Sequence, residues 1–332
     1  MPQRTREIHL AARPEGEPKG SDFSLVETDL PDPGDGELLV RSTWMSVDPY
    51  MRGRMRDAKS YVEPFRVGAT LEGGAIGEVL ASGDPRFAEG DVVRHFAGWR
   101  EHAILDAGAA EPVDTGAAPV HYALGALGMP GLTAYAGLHL AELRESDVVF
   151  VSGAAGAVGS MAAQLAKHRG HTVIGSAGSP EKVALLLGDM GLDAAFDYHD
   201  GPVGELLREA APDGIDVYFD GVGGDHLRAA LAAMRPWGRI ALCGAISEYE
   251  SAGPQPGPDN LFQAVANNLT LRGFRASAYL HRLPEAQREL GGYLAEGRLV
   301  YRETIVDGLE RAPDALIRML NGDTTGKTLV RV

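Results

Sequence analysis

The first third of the chain alternates short apolar runs with turn-forming clusters. LLVRSTWMSV (38–47), AIGEVLAS (75–82) and DVVRHFAG (91–98) have strand length and strand composition, and PDPGDGE (31–37) and SGDPRFAEGD (82–91) supply the turns between them. Near residue 121 the periodicity changes. HYALGALGMPGLTAYAGLHLAEL (121–143) has helical apolar spacing, interrupted at MPG (129–131). Strands and helices then alternate: strands over 147–152, 171–178, 194–199, 214–223, 238–246 and 270–277, with helices over 157–170, 179–191, 203–212, 224–237 and 260–269 between them. Such alternation predicts a parallel, doubly wound sheet. A further helix is expected over 284–297. The segment after it ends in a strand with no place in that sheet, so it is expected to return to the first domain. The expected fold class is α/β: a mostly-β domain over 1–125, completed by 303–332, and a doubly wound domain over 126–302.

Charge narrows the partners. In 332 residues, Lys and Arg total 31 against 46 Asp and Glu, a net charge of −15. That balance argues against a nucleic-acid groove or an anionic membrane surface. The opening residues are charged and broken by prolines, without the apolar core of a secretion signal. The longest nearly uncharged run, 148–166, is interrupted by SGAAG and reads as strand, turn and helix rather than a membrane span. A cytoplasmic location is therefore expected. The single cysteine, Cys243, excludes an intrachain disulfide and a multi-cysteine zinc site. The ten histidines are scattered, with His95 and His102 seven apart, so no metal ligand set is expected.

One junction carries recognisable chemistry. The strand DVVFVS feeds GAAGAVG (153–159), which opens a helix. Glycines at 153, 156 and 159 permit a tight turn, close backbone approach and close helix–strand packing, and the helix start offers free N–H groups to a pyrophosphate. The bland reading is a Gly/Ala packing turn, but the strand–turn–helix context favours dinucleotide binding. NAD sites usually place an acid at the tip of the second strand, about 20 residues on. Here the tip reads GSAGSPEK (175–182), offering Ser176, Ser179 and Lys182. Hydroxyls and an ammonium suit a 2′-phosphate, so the expected cofactor is NADPH. Glu181 beside Lys182 is the residue that speaks against it.

SVDPYMRGRM (46–55), GMPGLTAY (128–135), VSGAAGAVGS (151–160), SPEK (179–182), DVYFDGVGG (216–224), CGAISEY (243–249) and GKTLV (326–330) occur in this order. Together they resemble the leukotriene/prostaglandin reductase family, zinc-free medium-chain alkenal/one oxidoreductases. SYVEPFRVG (60–68) is most similar to the bacterial branch that includes curcumin reductase. The resemblance covers nearly the whole chain. It implies a GroES-like β domain joined to a Rossmann domain, a homodimer, and NADPH-dependent reduction of a double bond conjugated to a carbonyl. By motif it puts Gly156, Ala157, Val158 and Gly159 at the pyrophosphate, and Lys182 and Tyr198 at the ribose phosphate. It puts Cys243, Gly244, Ala245, Ile246, Ser247 and Tyr249 along the nicotinamide ribose, with Phe274 flanking the ring. Gly221, also assigned to the cofactor, stands where the family usually carries Asn, which removes a polar contact there; Thr324 likewise stands near a frequent Asn.

Enone reduction needs a hydrogen-bond donor where negative charge gathers on the substrate oxygen. Tyr249, beyond the end of a sheet strand, is the first candidate, and Tyr50 in SVDPYMRGRM the second; their bland readings are a packed loop tyrosine and a Pro–Tyr corner. Arg52, Arg54 and Arg56 read as a solvated basic loop, although they could attract an acidic substrate tail. Cys243 reads as a packing residue. Met51, Met55, Met129, Trp44 and Tyr61 fit an adaptable pocket or ordinary core equally well. Two other functions stay open: an NADPH-dependent quinone reductase, and a cofactor-binding sensor without turnover.

Overall fold

The computed structural model describes residues 3–116, 118–249 and 256–332. The chain divides into two compact units, residues 1–124 with 303–332, and residues 125–302.

The first unit begins with β1 (Gln3–Leu10) and β2 (Phe23–Leu30), paired antiparallel as a separate two-stranded sheet. Next come β3 (Glu37–Ser46), the short helix α1 (Tyr50–Arg54), β4 (Ala75–Ser82), β5 (Val92–His95), β6 (His102–Asp106) and β7 (Glu111–Pro112). In β3 the inward positions Leu38 and Val40 meet Val79, Val93 and Ala103. Past Ser42, Met45 and Val47 join a second core with Leu10, Phe23, Trp99 and Met51. A strand shared between two cores must be apolar at both ends, as the ELLVRSTWMS pattern is.

The second unit holds α2 (Met129–Leu140), β8 (Val148–Val151), α3 (Ala157–His168), β9 (Thr172–Ala177), α4 (Pro180–Leu187), β10 (Ala194–Asp197), α5 (Val203–Ala210), β11 (Ile215–Asp220), α6 (Gly224–Ala233), β12 (Met234–Leu242), α7 (Gln263–Ala266), β13 (Thr270–Gly273) and α8 (Leu283–Ala295). Its six strands are parallel, in the order β10-β9-β8-β11-β12-β13. Helices cover both faces, so the central strands are apolar throughout. Val149 and Val151 of β8 pack with Met161 and Leu165 of α3. Phe150 points the other way and stacks on Tyr218, with ring centroids 5.0 Å apart. The order reverses between β8 and β11, and the strand ends at such a switch point are where sheets of this kind bind ligands.

The chain then returns to the first unit as β14 (Glu303–Asp307), α9 (Ala312–Leu320) and β15 (Lys327–Arg331). β15 lies parallel to β14 and antiparallel to β3. Among the described residues no helix is long and apolar enough to cross a membrane.

Some expected boundaries shift. The helix expected over 224–237 ends at Ala233, and Met234 already pairs with Ile215. Pro236 has no N–H for a helix, and Trp237 takes φ 65°. The run over 260–269 is helical only at Gln263–Ala266, since Asn268 takes φ 50° and ends the turn. The helix expected over 121–143 is instead a 3₁₀ turn at Val120–Leu124 followed by α2, which starts at Met129 with Pro130 in its first turn.

Candidate active site

The switch-point end of the sheet is built first by glycines. Gly153 takes φ +59°, a conformation open to glycine, and the turn closes by a 3.0 Å bond from the Gly156 amide to the Gly153 carbonyl. A Cβ on Gly159 would collide with the Gly153 carbonyl, so α3 can press onto the turn only without one. The Ala154 amide bonds the Ser176 carbonyl at 2.9 Å, which fixes the loop to β9. After Gly156, the next amide to donate back is that of Ser160, to the Gly156 carbonyl at 3.0 Å. The amides of Ala157, Val158 and Gly159 therefore head α3 without an intrahelical acceptor. Three N–H groups at a positive helix end form a seat for a pyrophosphate.

The tip of β9 carries no carboxylate strand residue. Ser179 caps α4, its hydroxyl accepting from the Lys182 amide at 3.3 Å, so Lys182 sits in the first helical turn. The Glu181 carboxylate is held below its usual range by its own backbone amide and the Ser179 hydroxyl, which turns it back onto the cap. Tyr198, just past β10, lies against Gly178: a Cβ there would come within 2.5 Å of the tyrosine hydroxyl. Its ring meets His226 edge-on at 5.4 Å and leans on His199 at 4.3 Å. Ser176 is fully buried with its hydroxyl lacking a partner among the described residues. The structure thus brings Ser179, Lys182 and Tyr198 to one strand tip. No acid ends β9 itself, and hydroxyls, an ammonium and an unused hydroxyl beneath them suit a phosphorylated ribose, with the Glu181 carboxylate turned onto the Ser179 cap beside them.

The third wall comes from the ends of β11 and β12. Asp220, 1% exposed, accepts from the Tyr218 hydroxyl at 2.7 Å and the amides of Val222 and Gly223 at 2.9 and 2.8 Å. Burial still raises its pKa above the ordinary carboxylate value. The amide of Gly221 bonds Ser152 Oγ at 3.1 Å. The Cys243 and Gly244 amides reach the Asp220 carbonyl, Ile246 reaches Gly221, and Ser247 reaches Val222, so the two loops are laced together. Gly223 (φ 73°) and Gly224 (φ 50°) allow that approach, since a Cβ on Gly224 would come within 2.9 Å of the Ser247 hydroxyl. Ile246–Glu248 forms one 3₁₀ turn, which folds the chain so that Tyr249 Oη lies 3.6 Å from where a Gly244 Cβ would be. The tyrosine expected beyond a strand end therefore doubles back over that end. Ala245 packs against Gly223 within the same lacing.

Cys243 donates its thiol to the Asp220 carbonyl at 3.0 Å, and burial beside Asp220 pushes it up to about 12. It is a packing and anchoring residue rather than a nucleophile. Phe274 follows β13 with its amide on Leu242 at 3.2 Å, but its ring turns onto Gly137 of α2 and meets Tyr279 edge-on.

In the first unit, Tyr50 opens α1, and its hydroxyl is buried without a partner among the described residues, 3.6 Å from the Cβ position of Gly73. Burial and the neighbouring Asp48 raise its pKa far above the phenol value, so it is a neutral donor. The expected solvated arginine loop is corrected. Arg52 is buried with a bond to the Gly16 carbonyl, and Arg54 bonds Glu63 O and Glu72 while stacking on Phe65 at 4.0 Å. Backbone carbonyls of distant segments recruit them, which a local charge pattern does not reveal. Met51 and Met55 are core, Trp44 packs on His121 at 4.4 Å, and Tyr61 is exposed. Sequence reasoning missed Lys327: it is 1% exposed, with its ammonium on Val47 O, Thr328 O and Asp48.

Residues 6–113 match the family described as the N-terminal domain of oxidoreductase, and residues 157–290 the family described as zinc-binding dehydrogenase. The donor set does not fit the metal in that description: among the described residues no group of three or more His, Cys, Asp or Glu could hold an ion. The chain is 39% identical to the NADPH-dependent curcumin reductase of Escherichia coli (strain K12), over 99% of this chain and 97% of that one. It is 40% identical to the 2-alkenal reductase (NADP(+)-dependent) of Nicotiana tabacum, over 96% and 94% of the two chains. Among solved structures, CurA from Vibrio vulnificus in complex with NADPH superposes with a TM-score of 0.93 at 40% identity, over 98% of this chain and 99% of that one. With this likeness along its whole length, the chain belongs to the medium-chain dehydrogenase/reductase family, in the branch of the alkenal and prostaglandin reductases.

Proposed function

We propose that this protein is an NADPH-dependent reductase of the carbon–carbon double bond in α,β-unsaturated ketones and aldehydes, acting as a cytoplasmic homodimer. The observation that carries the reading is the edge of the parallel sheet, where a cradle of α3 amides, Ser179, Lys182 and Tyr198 stands on the same sheet edge as a tyrosine hydroxyl folded back over Gly244. The relatives named above for NADPH and for alkenal substrates support the reaction class.

The amides of Ala157, Val158 and Gly159, with Gly156, hold the pyrophosphate. Ser179, Lys182 and Tyr198 hold the ribose phosphate, with the Lys182 ammonium supplying the charge that attracts it. Gly221 and the laced segment Cys243, Gly244, Ala245, Ile246 and Ser247 line the nicotinamide ribose, while Phe274 packs on Gly137 of α2 and supports this end of the sheet from behind. When bound, NADPH supplies a hydride for the electron-poor β-carbon of the enone. Negative charge then gathers on the substrate oxygen, Tyr249 Oη donates a hydrogen bond to it, and the α-carbon takes a proton from a phenol or water to give the saturated carbonyl. Tyr50, a neutral donor whose buried hydroxyl has no partner among the described residues, is the second group that contacts substrate.

The test is NADPH consumption across alkenals, enones, curcumin-like dienones and quinones, with product analysis. Saturated carbonyl products from enones are expected. Consumption with quinones alone makes it a quinone reductase, and binding without any consumption makes it a sensor; either result removes the proposal.

A further inference from the structure

The turn that carries Tyr50 is held on every side. Trp99 Nε1 donates to the Ser46 carbonyl at 3.2 Å, and the Ser46 amide bonds Gly74 O at 2.8 Å. The Val47 amide bonds Thr328 O at 3.2 Å. Ser46 Oγ donates to Asp48 Oδ2. Lys327 completes the set: its ammonium donates to Val47 O at 2.7 Å, Thr328 O at 3.0 Å and Asp48 Oδ1 at 3.0 Å. Three donors meet three acceptors, with nothing left for water. Two residues on, the Asp48 and Pro49 carbonyls accept from Met51 and Arg52 and start α1 at Tyr50.

A fully buried lysine is a poor way to stabilise a core. An apolar side chain of the same volume often does as well or better. What an apolar residue cannot do is fix a carbonyl and a carboxylate on adjacent residues, three and two positions before Tyr50, the first residue of the helix. We infer that Lys327 is a positioning residue for the reaction: through the Ser46–Pro49 turn it sets where the Tyr50 hydroxyl stands. The inference rests on the reading that Tyr50 contacts substrate. Lys327 itself touches neither substrate nor cofactor.

The experiment is steady-state enone reduction by the double variant Lys327→Met/Asp48→Asn, which removes the buried ammonium together with its partly buried carboxylate partner. The expected result is a folded protein whose kcat falls about tenfold, the scale of a misplacement below an ångström, with KM for NADPH within about twofold of the parent. A structural defect alone would not confine itself to kcat. The same change is then made on a Tyr50→Phe background, where no further loss is expected because the clamp acts through that hydroxyl. An unchanged kcat, or a loss that simply multiplies with that of Tyr50→Phe, overturns the inference. Should the double variant not fold, Asp48→Asn alone keeps the two carbonyl acceptors of the ammonium; it is expected to lose about threefold in kcat, and full activity with it overturns the inference. If Tyr50→Phe itself turns over like the parent, the substrate-contact reading of Tyr50 falls, and the role of Lys327 with it. If Tyr50→Phe is slow while loosening the clamp changes nothing, only the role of Lys327 falls.

Discussion

Tyr249 folds back over Gly244 because one 3₁₀ turn follows the strand end, and that return places a phenol at the edge where the parallel sheet opens. Tyr249→Phe is expected to lower kcat for enone reduction about 10²-fold, the cost of one lost oxyanion donor, while KM for NADPH stays put. Unchanged turnover would move the donor role to Tyr50 or to water. Lys182, fixed in the first turn of α4 by the Ser179 cap, is expected to give NADPH an affinity at least about tenfold above that of NADH, the worth of one charge-assisted bond. Lys182→Ala should bring the two affinities together; titration of both nucleotides checks it, and equal affinities in the parent protein defeat the argument. At this scale the sequence was legible in part. Residue types at strand tips could be read from order alone. The environments of Arg52, Arg54 and Lys327 could not, because their partners lie many residues away: Gly16 O for Arg52, Glu72 for Arg54, Val47 O and Asp48 for Lys327.

Elements were read best where one force dominates. AIGEVLAS coincides with β4, and the alternation from 147 onward is a doubly wound sheet, since buried parallel strands must be apolar and their crossovers helical. Reading failed where backbone detail decides, as at Pro236 and Asn268, and where a strand is half polar. β1, QRTREIHL, alternates charge with burial, and β2 is mostly partly exposed, so neither stood out from the charged segment around it. The glycine turn at 153–159 gives the sharpest expectation for an element. Gly159→Val drives a branched side chain into the Gly153 carbonyl. It should destabilise the protein by about 2 kcal/mol and abolish NADPH binding, whereas Gly170→Ala, remote from the turn, should retain binding. Urea unfolding and nucleotide titration measure both.

For the whole molecule, acid should be the vulnerable direction. Burial lowers His95 and His226 to about 4, one in each unit. Folded, they bind fewer protons than the unfolded chain, whose histidines titrate near 6.5. Their contribution is therefore complete above that pH and is lost as pH falls toward 4. At pH 5 each costs about 2 kcal/mol relative to neutral pH. His226→Phe, which keeps a ring beside Phe150, should make the drop in unfolding free energy between pH 7 and 5 visibly shallower; an unaltered drop would show that His226 does not carry it. A second consequence concerns synthesis. β15 lies between β14 and β3, so the sheet begun by residues 37–46 stays open until residues 327–331 have left the ribosome. Residues 125–302 form a contiguous unit and face no such wait. During translation the early-made sheet must linger with the Trp44–Ser46 end of β3 bare on one side, a natural client for holding chaperones, and a stop codon a few positions before Lys327 would cripple the part of the protein that was made first.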